Sequence, residues 1–113
     1  MKKVETIVPF SRSDSIFKAL EKRGINFTYY DVRGRGQIPT QVVEYGRGTG
    51  TFREEFNTNV LVMSIVDDSM KEMVIDTILS SGSTGLAIEG KIFVSEIEDA
   101  IDIGSKQHGN STL

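Results

Sequence analysis

Residues 60–66 (V-L-V-M-S-I-V) form a nearly continuous apolar run, and this run constrains the fold more than any other feature. Successive side chains of a strand point to opposite faces, so Val60, Val62, Ser64 and Val66 would line one face. Leu61, Met63 and Ile65 would line the other. Both sets are largely apolar, which is the pattern of a strand covered on two sides. A chain of 113 residues has room for one domain and a modest core. What covers the two faces is then the central question.

The flanking segments answer half of it. Residues 4–8 (V-E-T-I-V) are short and β-branched, and Pro9 ends them by removing a backbone donor. Residues 11–22 shift to helical spacing, with Ile16, Ala19 and Leu20 on one side. Ser13 is the expected N-cap and Gly24 the expected residue just past the helix end. Residues 26–32 (N-F-T-Y-Y-D-V) are aromatic and β-branched and read as a second strand. Residues 34–59 have no sustained period and gather Gly34, Gly36, Gly46, Gly48, Gly50 and Pro39. A loop this long in so small a domain implies a function.

After the apolar run, Ser69 and Glu72 have capping-box spacing and would open a second helix. Met70, Met73, Val74, Thr77 and Ile78 would form its buried stripe, with Gly82 closing it. A Gly/Ser/Thr loop follows, then a strand over residues 91–97, then a polar tail after Ile103 expected to be poorly ordered at its end. The order β-α-β-β-α-β is the ferredoxin-like arrangement. This is an α+β sandwich with both helices on one face of a four-stranded antiparallel sheet. No third helix remains for the other face, so subunit association is expected to cover it.

Composition removes several function classes. The formal net charge of -3 argues against a general nucleic-acid binder. Cysteine is absent, which rules out disulfides and thiolate chemistry, and His108 is the single histidine, which leaves metal-dependent hydrolysis almost no ligands. No apolar run approaches the roughly 20 residues that span a bilayer, and no secretory segment opens the chain. A cytoplasmic location is expected. Glu54 and Glu55 are paired carboxylates without a partner base, so no enzymatic activity is expected.

M-K-K-V-E-T-I-V-P-F at residues 1–10, Gly24-Ile25, V-R-G-R-G at 32–36 and T-G-x-x-x-E-G-K-I-F-V at 84–94 together resemble the PII signal-transduction family. The resemblance covers nearly the whole chain as one domain. It implies a homotrimer with nucleotide sites in the clefts between subunits, sensing ATP against ADP and often 2-oxoglutarate. It also implies docking onto transporters or enzymes of nitrogen or inorganic-carbon assimilation. The family's T-loop corresponds to about residues 37–55, its B-loop to 82–91 and its C-terminal segment to 99–113.

On this resemblance, Thr84, Gly85, Glu89, Gly90 and Lys91 would hold phosphate oxygens, through backbone N–H groups and one ammonium. Gly34, Arg35, Gly36 and Gln37 would approach the ligand at the base of the T-loop. Thr28 matches the residue beside an adenine base, with Ile7 and Ile65 as apolar walls. Tyr45, Arg47 and Phe52 are the expected partner anchors in the loop, because aromatic and Arg side chains dominate interface hot spots. No obligatory cofactor and no metal are expected.

The chain also departs from the family pattern. The usual Thr-Gly-Lys-Ile-Gly-Asp-Gly-Lys becomes Thr84, Gly85, Leu86, Ala87, Ile88, Glu89, Gly90 and Lys91. Two arginines of the family's C-terminal segment are replaced by Asp102 and Gly104. Losing two cations and gaining an anion beside a triphosphate costs on the order of a few kcal/mol, or about two decades of affinity. AMP or ADP is therefore expected to bind better than ATP. A cyclic nucleotide, bicarbonate or a purely structural trimer stay open, and magnesium and 2-oxoglutarate sensing cannot simply be carried over. Without the resemblance, Lys91 reads as exposed surface charge, Arg33, Arg35, Arg47 and Arg53 read equally as a solvated loop face or as anion- or partner-binding groups, and Met63, Met70 and Met73 as core.

Overall fold

The computed structural model describes residues 1–36, 39–46, 50–83, 85 and 90–113 and, of Glu44 and Tyr45, the backbone alone. Strand β5 (Asn57–Val66) lies at the centre of a four-stranded antiparallel sheet. It pairs with β1 (Lys2–Pro9) on one side and β2 (Thr28–Gly34) on the other, and β1 pairs onward with β6 (Lys91–Glu96). The order β2-β5-β1-β6, with helices α1 (Phe10–Lys22) and α2 (Lys71–Gly82) between strands, is the ferredoxin-like arrangement expected.

The register fixes two unlike faces. Val4, Thr6 and Val8 of β1 lie beside Ser64, Val62 and Val60 of β5, and all are buried. Ile16 and Leu20 of α1 and Val74 and Ile78 of α2 close over them in one core cluster. On the opposite face Ile7, Leu61, Met63 and Ile65 are only half-buried. Tyr30 and Phe93, on the same face, are 45% and 51% exposed.

Several element ends differ from the sequence reading. Helix α1 starts at Phe10, with Pro9 in the N-cap position (φ -56, ψ 146). Ser13 is therefore inside the first turn, where its hydroxyl donates to the Phe10 carbonyl at 2.7 Å. Gly24 does end α1: at φ +68 it donates to the Glu21 carbonyl while Ile25 donates to that of Leu20. This is the Schellman pairing, and it draws Ile25 into the core. Phe27 then stacks on Phe17 at 5.2 Å, which delays β2 to Thr28. Strand β5 begins three residues early, because Asn57, Thr58 and Asn59 find partners in Gly34, Arg33 and Val32.

Ser69 is not a helix cap either. Asp67 (φ -60, ψ 150) accepts from the Ser69 backbone N–H at 3.2 Å and opens a 3-10 turn, Asp68–Met70, that leads into α2. Hydrogen bonds from Ser69 hold the Asp67 carboxyl below its ordinary range. Gly82 does end α2, and it also allows close packing: a Cβ there would lie 3.0 Å from Ile16 Cδ1.

The long central segment contains a β-hairpin of its own. Among the described residues, strands β3 (Val42–Tyr45) and β4 (Gly50–Arg53) pair only with each other. A radius of gyration of 17.3 Å, against about 13 Å for a compact chain of this length, marks a projecting element. The tail beyond Ile103 is also organised. Ile101 bridges His108, Lys106 N–H donates to the Asp102 carbonyl at 2.7 Å, and Asn110–Thr112 forms a final 3-10 turn. The Asn110 side chain bonds to Asp67, so the tail folds back on the turn that opens α2.

Candidate functional site

Gly90 fixes the first part of the site. Its φ of +125 is open to glycine, and a Cβ there would lie 2.2 Å from the Ile7 carbonyl oxygen. The chain therefore comes up against β1 with no room to spare before entering β6. This approach places Lys91 directly beside Ile7 on the half-open face of the sheet. Gly85 also has positive φ (+85), with open space around its Cα. Thr84 and Glu89, expected in the same cradle, lie outside the described residues, as do Leu86, Ala87 and Ile88.

Thr28 and Ile65 share that face but not that place. Thr28 is opposite Met63 on β2, and Ile65 is opposite Lys3 of β1. Between Thr28 on β2 and Lys91 on β6 stand β5 and β1, a gap of three strand spacings, about 14 Å. Ile7 and Ile65 stand four residues apart along the sheet, about 13 Å. The expected site residues of one chain thus fall in two separate places, Ile7, Gly90 and Lys91 in one, Thr28 and Ile65 in the other.

The third group sits at the base of the hairpin. Gly34 closes β2 opposite Asn57. Neither Gly34 nor Gly36 has a left-handed φ, and a Cβ would meet nothing closer than Asn59 Nδ2 at 3.5 Å from Gly34. Arg35, between them, is exposed and donates from Nε to the Glu55 carbonyl at 2.9 Å. Its guanidinium lies over the Phe56 ring, 5.2 Å from the centroid. Arg53 donates to the Thr40 carbonyl at 2.6 Å, and Glu54 N–H to that of Gln41 at 2.7 Å. Gln37 lies outside the described residues.

A cavity of about 570 Å³ opens beside this base, lined by Pro9, Phe10, Gln41, Phe56 and Asn59 among others. The sequence reading did not single out Phe56 or Asn59, which line this cavity. An exposed aromatic at a strand entrance was the available signal for Phe56. Of the expected partner anchors, Phe52 is on β4 opposite Val43 and 46% exposed, while Tyr45 is on β3 opposite Gly50. Arg47 is outside the described residues.

Asp102 has its own structural task. Its carboxylate accepts from Ser105 N–H at 2.9 Å, and hydrogen bonds from Ser105 hold it below its ordinary range. Asp99 is likewise lowered, chiefly by its contact with His108 at 2.7 Å. Among the described residues, no cluster of three or more His, Asp or Glu is placed to hold a metal ion. No described helix is long and apolar enough to cross a membrane.

The family model for the nitrogen regulatory protein P-II matches residues 1–107. The chain belongs to the P-II family. Curated relatives carrying that description include one from Nostoc punctiforme, 38% identical over 104 residues and 91% of each chain. Another, from Microchaete diplosiphon, is 36% identical over the same coverage. A third, from Rhodobacter capsulatus, is 32% identical over 114 residues and the whole of both chains. Membership in the P-II family makes this chain a regulatory, signalling protein, and the family takes adenine nucleotides as effectors.

Proposed function

We propose that the chain works as a homotrimer that binds an adenine nucleotide in the clefts between subunits. The observation that carries this reading is the separation of Thr28 from Lys91 on one sheet face. A nucleotide recognised at its base by Thr28 and at its phosphates by Lys91 is better served by two chains, each lending one half-site. The half-buried Ile7, Leu61, Met63 and Ile65 and the exposed Tyr30 and Phe93 supply an apolar face for that association.

ADP and AMP are the favoured effectors over ATP. Asp102 stays ionised at neutral pH and Gly104 brings no charge, so the cations that would meet a third phosphate are missing. The bound state is read out in the cytoplasm through the β3–β4 hairpin, by a transporter or enzyme of nitrogen or inorganic-carbon metabolism. Phe52 supplies an exposed aromatic contact there.

Light scattering at micromolar concentration tests the assembly, and about three chains per particle are expected. Calorimetry with ATP, ADP and AMP tests the site. Binding of AMP or ADP at least tenfold tighter than ATP is expected, weakened by Lys91→Ala. A monomer overturns the cleft. A trimer that binds no nucleotide but is stabilised by bicarbonate or a cyclic nucleotide replaces the effector, and one that responds to none of these is an interaction trimer.

A further inference from the structure

The base of the hairpin is closed by an arginine that stands between two glycines. Gly34 ends β2, Arg35 and Gly36 follow it, and Arg35 reaches across to the segment that joins β4 to β5. It binds Glu55 through its carbonyl and Phe56 through its ring. Both contacts are exposed to solvent, so each is modest: one charge-assisted hydrogen bond and one surface cation–π contact. Gly34 is held in the β2 ladder, but Gly36 has open space around its Cα and leaves the backbone beyond Arg35 free to turn. A guanidinium held this way is easily withdrawn by a better anion.

We propose that Arg35 is the clasp through which an anionic effector releases the hairpin. Without ligand, Arg35 holds Glu55 and Phe56 and so fixes the entry of β5 and the exit of β4. An anion arriving at this end of the sheet competes for the guanidinium, whose two Nη groups carry four further donors. Phosphate or carboxylate oxygens outcompete a neutral carbonyl for them. When Arg35 turns to the ligand, Glu55 and Phe56 lose their brace. Two further contacts among the described residues of the base, Arg53 on Thr40 and Glu54 on Gln41, lie on the hairpin side and move with it. The hairpin then changes its angle to the body as one piece. This coupling rests on the effector reading above, whereas the clasp in the free protein does not.

Hydrogen exchange over residues 50–57, with ADP as the probe, separates the two. In the free protein, Arg35→Gln should speed exchange there roughly fivefold to tenfold, the worth of one such pair of contacts. Phe56→Leu, which removes the ring alone, should give part of that change. ADP bound to the wild type should reproduce the Arg35→Gln pattern, and ADP added to the variant should bind, by calorimetry, without a further change. Unaltered exchange in ligand-free Arg35→Gln overturns the clasp whatever the effector is. ADP binding that leaves wild-type exchange unchanged overturns the coupling while the effector site stands. Absence of ADP binding by calorimetry overturns the coupling together with the effector reading, and the ligand-free comparison still decides the clasp. Should Arg35→Gln fail to fold, Arg35→Lys keeps the charge but not the planar stack, and the same comparison applies.

Discussion

The backbone of Gly90 passes so close to Ile7 that a Cβ on residue 90 would lie 2.2 Å from the Ile7 carbonyl oxygen. This single approach sets where β6 begins, and with it the position of Lys91 beside β1. Gly90→Ala therefore faces two costs, a strained positive φ and a backbone clash that no side chain can relieve. A loss of at least about 2 kcal/mol is expected by chemical denaturation. Gly85→Ala is the control, since its φ is +85 but nothing lies within 4 Å. It should lose only about 1 kcal/mol. Equal losses at both sites would mean that the approach to Ile7 is not what holds the loop.

Thr6 lies between Val62 and Ile92 on the helix-covered face, 1% exposed. Its hydroxyl oxygen is buried without a hydrogen-bond partner among the described residues. A buried hydroxyl without a partner costs about 1–3 kcal/mol by mutational measures. Thr6→Val keeps the shape and removes the group, so stability should rise by about 1 kcal/mol. In a thermal melt that corresponds to roughly 4 °C. A fall in melting temperature would show that a partner, such as a buried water, already satisfies the hydroxyl.

The central strands were legible because their apolar residues alternate. Val60, Val62 and Val66 answer Val4 and Val8, and propensity and burial agree there. The hairpin was not, although Val42, Val43 and Tyr45 on one side of a glycine cluster and Thr51 and Phe52 on the other form a hairpin pattern. Its strands are four residues each and have no core to face, so no periodicity announced them. The closed turn after Ile103 was hidden for a related reason: it is held by polar contacts such as Asp102 with Ser105. Asp67 took the capping role assigned to Ser69 because a 3-10 turn precedes the helix, which residue spacing does not reveal. At the site, residue types pointed to Gly90 and Lys91, but only the strand register shows how far Thr28 lies from them.

Asp102 and Gly104 differ in what they allow. Asp102 caps its turn, so replacing it breaks a local contact, whereas at Gly104 a Cβ would meet only Asp102 Oδ2, at 3.8 Å. Gly104→Arg should therefore fold normally and raise ATP affinity by roughly tenfold at low salt. It should do less for AMP, because the added charge acts mainly on the outer phosphates. The cap itself has a pH signature. The Asp102 carboxyl titrates below its ordinary 3.8 in the folded chain. Its contribution is thus complete above about pH 4 and is lost as pH falls through the lower folded value. NMR on the Ser105 amide should show no shift from neutrality down to about pH 4 and a marked one below. A midpoint above the ordinary value would remove the hydrogen bond from the account.

The proposed cleft between subunits makes a prediction that no single-chain pocket shares. Thr28→Arg should block the base end of the cleft with a bulky cation, and Lys91→Ala should remove the phosphate contact. Each variant alone should bind ADP weakly or not at all, since every cleft in its trimer carries the same defect. Unfolding and refolding the two together lets chains mix at random. A cleft is then intact when the Lys91→Ala chain supplies Thr28 and the Thr28→Arg chain supplies Lys91. With independent contributions to each cleft, about a quarter of the clefts in an equal mixture should be whole. Calorimetry on the mixture should recover that fraction of sites at wild-type affinity. If mixing restores nothing while the assembly stays trimeric, Thr28 and Lys91 do not meet across a subunit boundary, and the cleft must be rebuilt from residues of one chain.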